Sequence, residues 1–136
     1  PFDGAEYDYY TTTKGILEKV KTHAGDVDFE VQLELLSLFS NRDFGRYAGE
    51  KGEMNVCFIS NNDITGGNSG SAMFNARGEL LGLAFDGNWE AMSSDILYEP
   101  KMQRCIGVDV RYILFMIEKY GKAGDLIREL KIVSGK

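Results

Sequence analysis

Two apolar runs, Ser71–Phe74 and Glu79–Phe85, stand on either side of Asn75-Ala76-Arg77-Gly78, and no other stretch limits the fold as much. Asn and Gly at the ends of a four-residue link are residue types that tight turns select, so the segment predicts a β-hairpin. Directly before it lies Gly66-Gly67-Asn68-Ser69-Gly70-Ser71, a serine set among glycines at the entrance to the hairpin. Two further strands are predicted. Met54–Ser60 carries Val56, Cys57, Phe58 and Ile59 before breaking into Asn61-Asn62-Asp63, and Cys105–Val110 is the second. Near-helical spacing of Val31, Leu35, Leu36, Leu38 and Phe39 predicts a helix over Phe29–Ser40, with Asp26 or Asp28 as its cap. Val110–Tyr120, stopped by Gly121, and about Gly124–Lys131 predict two more. The expectation is a mainly-β domain with a short helix near the N-terminus and helices at the C-terminus.

At 136 residues, 43% of them hydrophobic, the chain has the size of a single domain, 1–136, able to bury a core. A net charge of -6, with fifteen scattered Lys and Arg, argues against a nucleic-acid surface. No apolar run reaches the roughly 20 residues that cross a bilayer. The start, Pro1-Phe2-Asp3-Gly4, has neither an initiator Met nor the order of a signal peptide, and reads as an internal cut in a longer protein. Cys57 and Cys105 lie in predicted strands and read as two buried free thiols; no metal or cofactor set is predicted.

Gly67-Asn68-Ser69-Gly70 has the form of the nucleophile loop of a chymotrypsin-like serine peptidase. In that arrangement the oxyanion hole is made by the backbone N–H of the serine and of the residue two before it, here Ser69 and Gly67. Glycine takes backbone conformations that turn its N–H inward. Taken alone, the tetrapeptide reads equally as an ordinary Gly/Asn/Ser turn. The hairpin that follows separates the two, because its returning strand, through Leu83-Ala84-Phe85-Asp86-Gly87, falls where such enzymes place the wall of the specificity pocket. An α/β-hydrolase elbow would need glycine two after the serine, where Ser71 stands, and a phosphate-binding loop would need a lysine after the glycines.

The stretches Asn62–Ser71, Leu83–Ser93 and Val108–Tyr112 with the helix after it closely resemble the bacterial dipeptidyl peptidase 7 and 11 family, family forty-six of the serine peptidases. The resemblance runs over nearly the whole chain, with Ala72 replacing the usual proline after the nucleophile. It implies the C-terminal half of a chymotrypsin-like double barrel, an exopeptidase parent that releases dipeptides, and a periplasmic, cell-surface or secreted location. The implied partners are a peptide substrate, the N-terminal barrel and helical domain of the same parent, and a second copy in a homodimer. By resemblance Ser69 is the catalytic nucleophile, and Phe85, Asp86 and Gly87 bind substrate. Asp86 would pair with the free N-terminus, and Gly87 would leave an open pocket for apolar second residues, as in the dipeptidyl peptidase 7 branch. Arginine at that position would instead select acidic ones.

Two alternatives stand beside this reading. A trypsin-like or glutamyl-type endopeptidase domain is one, Asp63, six residues before the serine, being where an acid in a trypsin-like pocket would select Lys or Arg; a non-catalytic binding domain with a peptidase-like loop is the other. A serine needs a base, and His23, the one histidine, sits in the polar stretch Lys21–Asp26, which reads as an exposed loop. Asp95 and Asp109 fall after the serine, out of the His, Asp, Ser order. The chain alone is therefore expected to be inactive, with its base elsewhere in the parent.

Overall fold

A computed structural model describes residues 6–49, 51–93 and 96–133. Its organising element is a five-stranded antiparallel sheet of β1 (Tyr10–Thr12), β2 (Asn55–Ser60), β3 (Ala72–Phe74), β4 (Leu80–Gly87) and β5 (Cys105–Asp109). The spatial order is β1-β2-β5-β4-β3. β5 is central and alternates strictly, with Cys105, Gly107 and Asp109 buried and Ile106 and Val108 half-buried. The predicted hairpin is β3–β4. Asn75 Oδ1 accepts from the N–H of Arg77 at 2.9 Å and of Glu79 at 3.0 Å, and Gly78 supplies the left-handed residue at φ 74°.

Register shifts interrupt the ladder between Tyr10 and Thr12, between Met73 and Phe74, and between Ala84 and Asp86. Each bulge sharpens the local twist and bends the sheet. Two glycines let the strands close. A Cβ on Gly82 would lie 2.1 Å from the Val108 carbonyl oxygen and 2.9 Å from the Phe58 ring, and one on Gly107 would lie 2.6 Å from Met73 sulfur.

Helices pack against the sheet and against one another. α1 (Thr13–Thr22) and β1 both lie outside the sequence expectations. Gly15 interrupts the helical pattern of α1 and no side chain caps it. The short helix predicted over Phe29–Ser40 begins only at Leu33, as α2 (Leu33–Ser40). Asp26 caps instead a single 3-10 turn, Val27–Phe29, by accepting the Asp28 N–H at 3.1 Å, and Glu30 then turns extended. Leu35 and Phe39 of α2 pack with Phe44, Tyr47, Met54 and Phe115 into the larger core cluster. Each of those aromatic rings contributes about 1.5–3 kcal/mol by leaving water. Met73, Ala84 and Cys105 make a second cluster, with Phe58 and Ile64 against it.

The helix over Val110–Tyr120 forms as α3 (Val110–Phe115) continued by a widened π turn, Met116–Tyr120. Gly121 stands at its end with a negative φ; a Cβ there would lie 3.0 Å from the Ile117 carbonyl oxygen, and Lys122 is the residue with positive φ. α4 (Gly124–Arg128) is shorter than the predicted Gly124–Lys131, because i to i−3 bonds from Glu129 and Leu130 close its last turn. Asp109 caps α3 through the Arg111 N–H and forms a two-point pair with the Arg111 guanidinium, at 2.9 and 2.6 Å. No described helix is long and apolar enough to cross a membrane.

Candidate active site

The loop from Asn61 to Ser71 leaves β2 and enters β3, and it is tied down at both ends. Ile64 packs on the smaller core cluster. After the serine, Gly70 N–H donates to the Ala84 carbonyl at 2.7 Å, and Ala84 N–H donates to the Ser71 carbonyl at 2.9 Å. Between these anchors Asn68 spans the turn, its N–H bonded to the Thr65 carbonyl and its side-chain amide to Thr65 Oγ1. Gly67 and Gly70 hold φ of 95° and 90°, which few residues other than glycine adopt, so the loop shape depends on them.

Ser69 is exposed at the tip. Its hydroxyl donates to the Phe85 carbonyl at 3.2 Å. That carbonyl is free because of the third bulge: Ala84 faces Gly107 and Asp86 faces Ile106, leaving Phe85 as the extra residue outside the ladder. Among the described residues no acceptor takes the N–H of Gly67 or of Ser69. Both donors named as an oxyanion hole are thus uncommitted.

Serine and strand wall open on one cleft of about 250 Å³, lined by Ile64, Thr65, Gly66, Ser69, Phe85, Asp86, Gly87, Asn88, Ala91 and Met92. The structure brings Ser69 together with Phe85, Asp86 and Gly87, as the sequence order of loop, hairpin and returning strand suggested. Asp86 is exposed; its Oδ1 accepts the Gly87 N–H at 2.8 Å, and Oδ2 has no partner among the described residues. Apart from Asp86 the lining carries no charge; Ile64, Phe85, Ala91 and Met92 supply its apolar part, and Thr65, Ser69 and Asn88 a polar part of similar extent. Ile64, Asn88, Ala91 and Met92 went unassigned in the sequence, where nothing marks which side of a 3-10 turn (Trp89–Ser93) will fold back onto the strand.

Asp63 is exposed and does not line the cleft, so no acid stands at its base. His23 lies in the turn just after α1, as expected, but is half-buried rather than fully exposed: it caps the helix C-terminus, its ring stacked on Phe29 with centroids 4.1 Å apart, and its Nδ1 lies 2.9 Å from Thr22 Oγ1. It lines a different cleft, which shares no residue with the first. Asp109 is taken up by Arg111, and Asp95 lies outside the described residues. Cys57 and Cys105 are both free; their strands are adjacent, but Cys57 faces Val108 and Cys105 faces Ser60, three residues apart along the ladder. Burial pushes both thiols above their ordinary range. No group of His, Cys, Asp and Glu among the described residues is arranged to hold a metal.

A sequence profile of the Peptidase S46 family matches residues 1–132. The chain is 57% identical over 135 residues to dipeptidyl-peptidase 7 of Porphyromonas endodontalis, covering 99% of this chain and 16% of that protein. It is 56% identical to dipeptidyl-peptidase 7 of Porphyromonas gingivalis, covering 98% of the chain and 18% of the relative. The Asp/Glu-specific dipeptidyl-peptidase of Capnocytophaga gingivalis is 47% identical, with 98% and 18% coverage. The crystal structure of Porphyromonas endodontalis DPP11 with the dipeptide Arg-Glu superimposes with a TM-score of 0.89 at 42% identity, over 95% of this chain and 18% of that one. The chain therefore spans less than a fifth of the relatives' length.

Proposed function

The chain belongs to the peptidase S46 family, and from that premise we propose that it carries the nucleophile and pocket wall of a serine dipeptidyl peptidase. In this reading Ser69 attacks the carbonyl of the second residue of a peptide with a free N-terminus. The N–H groups of Gly67 and Ser69 take the oxyanion, and Asp86 Oδ2 receives the terminal ammonium. The observation that carries the proposal is the bulge at Phe85: it aims one strand's carbonyl at Ser69 while the next two residues, Asp86 and Gly87, line the same cleft. Nucleophile and recognition surface are thus rigidly coupled.

The cleft favours an aliphatic or aromatic second side chain. A carboxylate entering it would meet apolar groups and the Asp86 charge, with no cation to offset the lost hydration. The serine hydroxyl still needs a base before it attacks. His23 does not serve, so we place the His and Asp in the parent protein outside these 136 residues, and expect the isolated chain to hydrolyse nothing at a useful rate. A periplasmic or cell-surface parent, assembled from two barrels and a helical domain and forming a homodimer, is part of the same proposal.

The test uses the full-length parent with a fluorophosphonate probe and dipeptidyl-naphthylamides. Labelling at Ser69, turnover after apolar second residues, and loss of both in Ser69→Ala are the expected results. An unlabelled Ser69 with intact peptide binding would instead make the chain a non-catalytic binding domain.

A further inference from the structure

Gly87 does not set the pocket alone. An ideal Cβ on Gly87 would lie 2.8 Å from Ala91 Cβ, 3.6 Å from Ile64 Cγ2 and 3.8 Å from the Arg104 carbonyl oxygen. Real Cβ atoms do not approach to 2.8 Å, so the space that glycine leaves open is bounded by the methyl group of Ala91. That methyl is fixed in place. Asn88 donates its N–H to the Arg104 carbonyl and accepts the Arg104 N–H on Oδ1, at 2.9 and 2.8 Å. Its amide donates to Glu90 Oε2 at 2.7 Å and to the Met102 carbonyl at 2.9 Å. Its own carbonyl takes the Ala91 N–H at 2.9 Å. Asn88 thus ties the end of β4 to residues 102–104 and, through its carbonyl and its bond to Glu90, holds the Trp89–Ser93 turn, and Ala91 with it, to that anchor.

We infer that Ala91 is a specificity-determining residue, the gauge that fixes how large a second side chain the Ser69 cleft accepts. The inference rests on the dipeptidyl peptidase reading and adds a residue to it. The physical reason is that Asn88 removes the turn's freedom to retreat, so volume added at position 91 enters the cleft rather than displacing the backbone. Removing the methyl enlarges the cleft by the same logic. Ala91 touches the substrate side chain without reaching the reacting carbonyl, so its substitution changes the ratio between substrates rather than the chemistry.

The experiment measures kcat/KM of the full-length parent on dipeptidyl-naphthylamides with Ala, Leu or Phe in second position. Ala91→Val adds two methyl groups, and the Phe-to-Ala ratio should fall by about tenfold or more, since a single methylene in an apolar pocket is worth roughly 10–200-fold. Ala91→Gly should raise that ratio. Gly87→Ala should impair all three substrates through its contact with Ala91, and Gly87→Ala/Ala91→Gly should recover them, a coupling that independent sites would not show. Unchanged ratios in Ala91→Val, an equal fall on every substrate, or additive losses in the double variant would overturn the assignment while leaving the peptidase reading intact. A parent that turns over no dipeptidyl substrate, or one unaffected by Ser69→Ala, would overturn both.

Discussion

Replacing Gly67 by alanine separates backbone strain from oxyanion stabilisation. Gly67 sits at φ 95°, and a Cβ there would meet nothing within 4 Å, so the substitution brings conformational strain without a clash. Holding alanine in that region costs about 1–2 kcal/mol. Two outcomes compete: the loop keeps its shape and the strain lowers stability, or residue 67 relaxes to negative φ and its N–H swings away from the cleft. The loop is anchored on both sides of position 67, by the Asn68 N–H on Thr65 and the Gly70 N–H on Ala84, but Gly67 N–H itself holds no partner among the described residues. Relaxation is therefore the easier path. Loss of one oxyanion donor lowers kcat by roughly 10²–10³, or about 2.7–4 kcal/mol, more than the strain itself. Gly78→Ala is the matched control, with φ 74°, nothing within 4 Å, and a place at the far end of the hairpin. In the parent protein Gly78→Ala should lose stability in denaturant and keep its kcat, whereas Gly67→Ala, by relaxing, should lose kcat and less stability than the control. A Gly67→Ala enzyme with kcat within a few-fold of Gly78→Ala would refute the donor assignment.

Gly82→Ala should destabilise the fold by at least about 1–3 kcal/mol, the range for overpacking, since its Cβ would lie 2.1 Å from the Val108 carbonyl oxygen within the β4–β5 ladder. A denaturation midpoint matching wild type would show that the two strands can part freely. Tyr47 gives a test by pH. Burial, then the hydrogen bond to Glu118 and its charge, raise the phenol from 10.0 to about 12, with Arg46 pulling the other way. The unfolded chain then loses its proton first, so this contribution is full below pH 10 and disappears as pH rises towards 12. Tyr47→Phe should flatten that fall in an alkaline stability series, and an identical slope would count against the Glu118 pairing. His23→Ala should leave kcat of the parent unchanged while loosening the end of α1, read by hydrogen exchange; a loss of kcat by orders of magnitude would make His23 the base.

Legibility in the sequence followed the range of the interactions involved. The β3–β4 hairpin could be read because Asn75 and Gly78 encode its turn within four residues, and Ser69 with Phe85, Asp86 and Gly87 because they lie on one loop and the strand paired to it. The start of α2 was misplaced because Asp26 is a genuine cap, but of a turn too short to continue. α1 was missed because Gly15 breaks its pattern and its stability comes from Ile16 and Leu17 packing on a core assembled from distant segments. Ala91 could not be found at all. Its role arises only when Asn88 closes on Arg104, sixteen residues further along, and turns an unremarkable alanine into the wall opposite a glycine.

The same reasoning applies to the proposed division of the active site between this chain and the rest of its parent. The exposed hydroxyl, the two N–H groups and the cleft lie between Ile64 and Met92, on the end of β4 and the loops that precede β3 and follow β4, at one end of the sheet order. His23 follows α1, which leaves from β1 at the other end. Three strand spacings separate β1 from β4, on the order of 14 Å along the sheet. Reaching Ser69 would also require the imidazole to abandon its stack on Phe29 and its contacts with Thr22 and Lys19. Meanwhile Ser69 donates to the Phe85 carbonyl, a resting arrangement that satisfies its hydroxyl without any base. Under the proposed reading, Ser69 is held by its own strand wall, and a base brought to the open side of the cleft would need to contribute only proton transfer, since loop shape, donors and pocket are already in place.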